Sequence, residues 1–247
     1  MLQSIRIARA ALRSLRIYYG DRTRATAMDR LYGNFVRSGD LVFDVGAHVG
    51  DRIASFRRLG ARVVAVEPQR PMLKALRLLY GRDRSVTIEP VAVGGRPGKA
   101  RLLINTDNPT VSSVSPAFVE AAKGAPGWET QRWSGFAEVE VTTLDALIAR
   151  HGVPAFIKID VEGFEAEALS GLSQTVRALS FEFTTIQPEV ALACIEQCAS
   201  KGYTRFNAAL GESQTMVGGW VGAEEIARWL SALPQAANSG DIYAVTA

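Results

Sequence analysis

The stretch that most constrains the fold is residues 41–50, Leu-Val-Phe-Asp-Val-Gly-Ala-His-Val-Gly. Its first half is an apolar run broken only by Asp44, which is typical of a strand buried on both faces of a parallel sheet. Gly46 and Gly50 bracket a tight turn, where missing side chains let the backbone approach a ligand. Apolar residues then recur at three-residue spacing over residues 51–59, which predicts a helix. The stretch therefore predicts the first strand, turn and helix of a nucleotide- or cofactor-binding unit.

A carboxylate follows the next apolar stretch, residues 62–66. Glu67 lies about twenty residues after Gly46, the offset at which an acidic residue at the end of a second strand can hold ribose hydroxyls. The first turn is Gly-x-x-x-Gly, however, whereas a pyrophosphate favours the fuller Gly-x-Gly-x-x-Gly pattern. Asp44 within the first strand also suits a cationic ligand. These residues favour S-adenosylmethionine (SAM), which carries an ammonium, a sulfonium and a ribose but no phosphate, over NAD.

The remaining chain alternates between predicted strands and helices and ends in two strands, which predicts a doubly wound α/β sheet. The further predicted strands are 86–93, a short extra strand at 100–104, 137–142, 156–163 with an acidic tip, 179–184, 203–207 and 242–245. We expect Pro90 to end the third strand early, because proline cannot donate to a strand ladder. Residues 105–136 show no strong period, and connections of this length in compact domains tend to be functional or mobile.

Length and composition fit one α/β domain with an N-terminal helical extension, which we place at residues 1–38, before a domain at 39–247. The net charge is only +3, and the excess of arginine is concentrated in the first forty residues. A uniform nucleic-acid-binding surface is therefore not indicated. No apolar run reaches the length of a membrane span, and no convincing secretory signal is present, so we expect a cytoplasmic protein.

Residues 1–20 interleave arginines with apolar residues, a pattern that predicts a basic amphipathic helix. Such a helix packs on its own domain, forms an oligomer contact such as a homodimer, or touches an anionic membrane surface. A second helix is predicted over residues 27–38. Cys194 and Cys198 are the only cysteines; with no histidine nearby, they are predicted to be small packed residues on a helix face rather than zinc ligands.

Four motifs, in this order and spacing, resemble the FkbM family of SAM-dependent methyltransferases. They are Phe43-Asp44-Val45-Gly46-Ala47-His48-Val49-Gly50, Val66-Glu67-Pro68, Thr143-Leu144-Asp145, and Ile157-Lys158-Ile159-Asp160-Val161-Glu162-Gly163-Phe164-Glu165. The resemblance implies the class I methyltransferase fold, a Rossmann-like α/β fold whose seven-stranded, mostly parallel sheet has helices on both faces. It also implies transfer of a methyl group, usually to a hydroxyl oxygen, of an acceptor such as a small molecule, a glycan or a natural product.

The resemblance also implies where the cofactor binds. The predicted cofactor-binding residues are Asp44, Gly46, His48, Gly50, Glu67 and Ala92. The glycine turn and the first-strand aspartate would line the methionine end of SAM, and Glu67 would hold the ribose. Many relatives carry asparagine at the position of His48, and an imidazole there could titrate near neutral pH.

The predicted catalytic residues, Asp160, Glu162 and Lys158, lie in the predicted strand 156–163 and its acidic tip. Asp160 ends the strand and is the better candidate to face the cofactor and accept a proton from an acceptor hydroxyl. Glu162 alternates with it along an extended segment, so the two side chains can point to opposite sides. Glu162 would orient the acceptor or, with Glu165 and Glu182, hold a hard cation. The alternative is that these acids pair with Lys158 or cap the next helix, and no metal ligands are assigned.

Other functions stay open at this point. One is a SAM-binding fold with a non-catalytic, partner-binding role, and another is a NAD-dependent oxidoreductase, which the glycine pattern disfavours. A nucleic-acid methyltransferase would need an aromatic residue to stack on a flipped base. Residues 107–110 read Asp-Asn-Pro-Thr and lack one, so we expect them to form a plain turn.

Overall fold

The computed structural model describes residues 20–246. The strands are β1 Leu41–Val45, β2 Arg62–Val66, β3 Val86–Glu89, β4 Ala92–Val93, β5 Gly98–Asn105, β6 Trp133–Thr142, β7 Phe156–Ile159, β8 Ala178–Thr184, β9 Arg205–Leu210 and β10 Ser239–Val245. The α-helices are α1 Arg22–Tyr32, α2 Asp51–Arg58, α3 Arg70–Tyr80, α4 Pro116–Ala122, α5 Leu144–His151, α6 Glu165–Ser170, α7 Pro188–Ser200 and α8 Ala223–Ser231. Short 3₁₀ helices lie at Pro109–Val111 and Gln235–Ala237. Nearly all of the predicted helix over residues 1–20 lies outside the described residues.

The main sheet has seven strands in the order β3-β2-β1-β7-β8-β10-β9. The first five strands in this order pair in parallel, and β10 runs antiparallel to both of its neighbours. This confirms the predicted class I methyltransferase fold. The order reverses between β1 and β7, and such a reversal opens a crevice at the carboxyl ends of those strands. The glycine turn after β1 and the acidic segment after β7 therefore meet at one place.

A second, three-stranded sheet has the order β4-β6-β5 and was not predicted as a unit. The predicted strand 86–93 is in fact two strands, because the chain leaves the main sheet after Glu89 and β4 pairs with β6. The expectation that Pro90 ends the third strand is thus confirmed. The predicted strand 137–142 begins earlier, at Trp133.

The long connection predicted at 105–136 is more ordered than its polar composition indicated. Helix α4 is capped by Ser115, the residue before it, whose hydroxyl accepts a hydrogen bond from the backbone N–H of Phe118. The Phe118 ring then packs edge-to-face against Trp128 and Trp133. This small aromatic cluster gives the segment a core of its own, which a period-based search does not detect because its members are far apart in sequence.

Helix α1 begins five residues before the predicted helix 27–38. Asp21 caps it by accepting hydrogen bonds from the backbone N–H groups of Thr23 and Arg24, the usual role of an aspartate at a helix start. Its buried residues Met28 and Tyr32 pack into the core against one face of the sheet. The division of the chain at residue 38 stays a prediction, since α1 is in contact with the domain that follows it.

Cys194 and Cys198 are fully buried on α7, as predicted for packed residues on a helix face. Within residues 20–246, no helix combines the length and the apolar character needed to cross a membrane.

Candidate active site

A cavity that is partly open to solvent lies at the carboxyl ends of β1, β2 and β7. Most of the residues predicted from the sequence lie in its wall, namely Asp44, Gly46, His48, Glu67, Ala92, Asp160 and Glu162. Two predicted residues do not. Gly50 instead faces α3, and Lys158 lies beneath the wall. The cavity therefore joins the predicted cofactor residues to the predicted catalytic acids.

Close packing requires a glycine at each end of this turn. Gly46 has a φ of +86°, and a Cβ added there would lie 1.7 Å from the carbonyl oxygen of Asp160. Gly46 thus lets the ends of β1 and β7 approach each other under the cavity. Gly50 has a φ of +87° and packs against Leu76 and Tyr80, so its role is to seat helix α3 against the turn rather than to touch a ligand in the cavity.

Asp44 presents an unusual group to the cavity. Its side chain is only 2% exposed, and its Oδ2 atom is buried without a hydrogen-bond partner. Burial raises the pKa of Asp44 to about 7, although Arg52 acts in the opposite direction. A buried carboxylate oxygen without a partner is costly, and a cationic ligand group in the cavity would remove that cost.

Glu67 is held rigidly at the opposite part of the wall. Its carboxylate accepts hydrogen bonds from the backbone N–H of His48 at 2.9 Å and from that of Gln69 at 2.7 Å. Burial nevertheless raises the pKa of Glu67 to about 7. The two bonds fix the direction of the carboxylate and leave its remaining lone pairs to accept hydroxyl donors.

His48 does not titrate near neutral pH, contrary to the expectation from its residue type. Burial lowers the pKa of His48 to about 4, so its imidazole is neutral at physiological pH. The backbone of His48 has a φ of +46°, and its backbone N–H donates a hydrogen bond to the carboxylate of Glu67. Histidine, like asparagine, is found at positive φ more often than most residues, so this residue type is compatible with the turn.

Lys158 is completely buried and lies between two carboxylates. Its Nζ donates to Asp241 at 2.7 Å and to Asp160 at 3.0 Å. Burial opposes ionisation of Asp160, but Lys158 and then Arg52 outweigh it and lower the pKa of that carboxyl. Pairing of the acids with Lys158, the alternative left open above, is therefore what the structure shows for Asp160. Lys158 can affect chemistry in the cavity only by positioning and ionising Asp160.

The other acids divide into two groups. The carboxylate of Glu165 accepts hydrogen bonds from the backbone N–H groups of Val161 and Gly163, so the expectation that it would join a cation site is wrong. Glu162 and Glu182 instead lie with Asp160, and their carboxylate oxygens are within 4.8 Å of one another. Burial, reinforced by the neighbouring negative charge of Asp160, raises the pKa of both glutamates well above the usual range.

The connection between β5 and β6 covers this acidic turn. The Ser113 hydroxyl donates to the carbonyl oxygen of Glu162 at 2.6 Å, and Phe118 packs against Gly163, whose φ is +84°. Thr110 and Ser112 of the same connection line the cavity. In the segment 107–110, the side chain of Asn105 accepts hydrogen bonds from the backbone N–H groups of Asp107 and Asn108. The expectation of a plain turn is only partly correct, because Pro109 begins a short 3₁₀ helix and Thr110 lies in the cavity wall.

Sequence reasoning missed an ion-pair network at the cavity mouth. Arg52 donates to Asp51 at 2.8 Å and to Glu212 at 3.3 Å, and Arg24 on α1 donates to the same two acids. Arg52, Asp51 and Glu212 all line the cavity. The position of Arg52 directly after the glycine turn was a usable signal, whereas nothing in the local sequence marks Glu212, which lies 160 residues further on.

Comparison of the sequence with known protein families finds a match. Residues 44–237 match the model of the methyltransferase FkbM domain. A comparison with curated protein sequences finds no match.

Several solved structures have a similar course of the chain. One is precorrin-6y C5,15-methyltransferase from Geobacter metallireducens, which is 12% identical to this chain. The match covers 91% of this chain and 87% of that one, with a TM-score of 0.43. Magnesium protoporphyrin IX methyltransferase from Synechocystis with bound SAM has 9% identity, coverage of 96% and 84%, and a TM-score of 0.45. A SAM-dependent O-methyltransferase from Thermotoga maritima has 13% identity, coverage of 91% and 65%, and a TM-score of 0.40.

Proposed function

The chain belongs to the FkbM family of SAM-dependent methyltransferases, and we propose that it methylates a hydroxyl oxygen of a small molecule, a glycan or a natural product. The observation that carries this proposal is the composition of one cavity wall. Carboxylates suited to the cofactor, Asp44 and Glu67, share that wall with Asp160, a carboxylate kept ionised by a buried lysine. The same wall thus combines carboxylates that suit the methyl donor with an ionised group that can receive a proton.

The wall fits SAM by its chemistry. The unpartnered Oδ2 of Asp44 suits the ammonium group of the methionine part, and the fixed carboxylate of Glu67 suits the ribose hydroxyls. Both would form charge-assisted hydrogen bonds, which are stronger than neutral ones. When bound, SAM supplies the electrophilic methyl group of its sulfonium.

Asp160 is the residue that we assign to the acceptor. Its carboxylate is part of the wall and is one-quarter exposed, whereas Lys158 beneath it is fully buried. The hydrogen bond from Lys158 fixes the orientation of Asp160, and positioning supplies much of the rate in a transfer that requires an in-line approach. As an ionised group, Asp160 can accept the hydroxyl proton when the acceptor attacks. The wall residues Thr110 and Ser112, from the connection that covers the acidic turn, would contribute to the choice of acceptor.

The test begins with incubation of the protein with methyl-labelled SAM and extracts of the native organism, followed by identification of the labelled species. With that acceptor, Asp160→Asn should reduce turnover by about 10²–10⁴-fold, because the amide keeps the size but loses the basicity. SAM affinity should change much less. Label on nitrogen or carbon in the product would refute O-methylation, and turnover near the wild-type value in the variant would refute the role of Asp160.

A matched control is Asp241→Asn. Asp241 is the other partner of Lys158, but it does not line the cavity. This variant removes an equally close negative charge from the lysine, so it reports the cost of disturbing the buried ion pair. We expect a lower melting temperature with a much smaller loss of turnover. A loss equal to that of Asp160→Asn would mean that the ion pair, rather than a carboxylate facing the acceptor, accounts for the effect.

A further inference from the structure

Three carboxylates from two strand ends meet in the cavity wall. Asp160 follows β7, Glu162 lies two residues further along, and Glu182 belongs to β8. Each can offer one oxygen, and these oxygens lie within 4.8 Å of one another. Carboxylates so close to one another repel unless a proton or a cation lies between them.

Two of these three acids have carboxylate oxygens without a hydrogen-bond partner among the described residues. Glu162 is only 8% exposed, yet within residues 20–246 its carboxylate makes no hydrogen bond or ion pair, and it faces the cavity. The Oε2 atom of Glu182 is also buried without a hydrogen-bond partner. Buried carboxylates usually have partners. In contrast, the nearby Glu165 is satisfied by backbone N–H groups, so burial at this turn does not by itself leave an acid without partners.

The cationic side chains near these glutamates are paired with other acids. Lys158 contacts Asp160 but is shared with Asp241. Arg52, which lies in the wall, forms ion pairs with Asp51 and Glu212. Within the part of the chain that the structure describes, no lysine, arginine or histidine forms an ion pair with Glu162 or Glu182. Among the described residues, the two glutamates therefore have no cationic partner, although they lie next to the residue that we assign to the acceptor.

We propose that Asp160, Glu162 and Glu182 bind a divalent cation of the Mg²⁺ or Mn²⁺ class. Oxygen ligands from carboxylates suit such hard cations, and three protein ligands leave coordination positions for water or for an oxygen of the acceptor. The inference rests on the proposed function in one respect: a cation here would lie beside the acceptor hydroxyl. That position has a chemical use, because a bound cation lowers the pKa of a coordinated hydroxyl and so eases the loss of its proton.

The test measures binding of Mn²⁺ to the full chain by the loss of its free electron paramagnetic resonance signal. We expect one Mn²⁺ per chain, displaced by Mg²⁺. Glu162→Gln and Glu182→Gln should each weaken binding by about tenfold or more, because each replaces a charged ligand with a neutral one. The matched control is Glu189→Gln, an exposed glutamate in the first turn of α7, which should bind Mn²⁺ like the wild type. Circular dichroism melting of each variant verifies that it is folded.

The result that overturns the inference is wild-type protein that binds no Mn²⁺ at millimolar concentration, or glutamine variants that bind it as well as the wild type does. Calorimetric titration of the same preparations with SAM separates the two proposals. SAM binding without Mn²⁺ binding would refute the metal site alone. Metal binding combined with methylation that is unaffected by a chelator would refute the place of the cation beside the acceptor.

Discussion

Replacing Glu67 by glutamine tests the cofactor site most directly. The carboxylate accepts two backbone hydrogen bonds, from His48 and Gln69, and it lies in the cavity wall with 2% exposure. Glutamine has the same shape but replaces one acceptor oxygen by an NH₂ donor. One of the two backbone N–H groups then faces a donor, and the charge that would bind the ribose hydroxyls is lost.

The expected sizes follow from these contacts. A hydrogen bond to a charged group contributes about 1.5–3 kcal/mol, so losing it to the ligand should weaken SAM binding by about 10–150-fold. The unpaired backbone N–H costs about 1–3 kcal/mol in the unliganded protein, and some of this cost is offset because the neutral amide avoids burial of a charge. We therefore expect a large loss of affinity with a smaller loss of thermal stability.

The assay is calorimetric titration at pH 8 with SAM and, separately, with its demethylated product, which excludes turnover as a source of heat. The matched control is Glu89→Gln. Glu89 ends the adjacent strand, pairs with Val66 in the sheet register and is also largely buried, but it binds Arg150 and His151 away from the cavity. The Glu89→Gln variant should have a lower melting temperature but bind SAM with wild-type affinity. Affinity of Glu67→Gln within twofold of the wild type would refute the assignment of this carboxylate to the cofactor.

Further predictions concern the packing, the buried charge, the pH dependence and the N-terminus. Gly46→Ala should abolish SAM binding or folding, since its Cβ would lie 1.7 Å from a backbone oxygen; a variant that melts and binds like the wild type would contradict this. Lys158→Met should lower the free energy of unfolding by about 3–5 kcal/mol, because it leaves two carboxylates without their buried cation, and chemical denaturation measures this. SAM affinity should fall by up to about a hundredfold per pH unit below pH 7, because the pKa values of Asp44 and Glu67 are both about 7, binding favours both ionised forms, and protonation competes as the pH falls; an affinity that is constant from pH 8 to 5.5 would disprove this. A protein that begins at Asp21 should still bind SAM with wild-type affinity in the same calorimetric titration; loss of binding by such a folded protein would place residues 1–20 in the site.

Local sequence patterns determined the part of the cavity wall that we assign to the cofactor. The apolar strand with Asp44, the glycine turn and Glu67 lie within one strand-turn-helix-strand unit, whose geometry is set by neighbours along the chain. For that reason these residues, the parallel sheet and the general position of the cavity could be predicted. The acidic end of β7 was predicted on the same basis, because a strand end in a parallel sheet faces the crevice.

Tertiary structure decided the partners of those residues. Whether Glu165 or Asp160 joins Glu162 and Glu182 depends on the backbone path of the turn, which directs Glu165 to two N–H groups instead of the cavity. The second sheet and the aromatic cluster that cover the turn also join residues distant in sequence.

The state of each titratable group likewise depends on the whole fold. His48 is neutral because the surrounding protein excludes water from it, and Asp160 is ionised because Lys158 is buried beneath it. Glu212 reaches Arg52 from the far end of the chain. Burial and charge pairing depend on long-range packing, and no local pattern in the sequence records them.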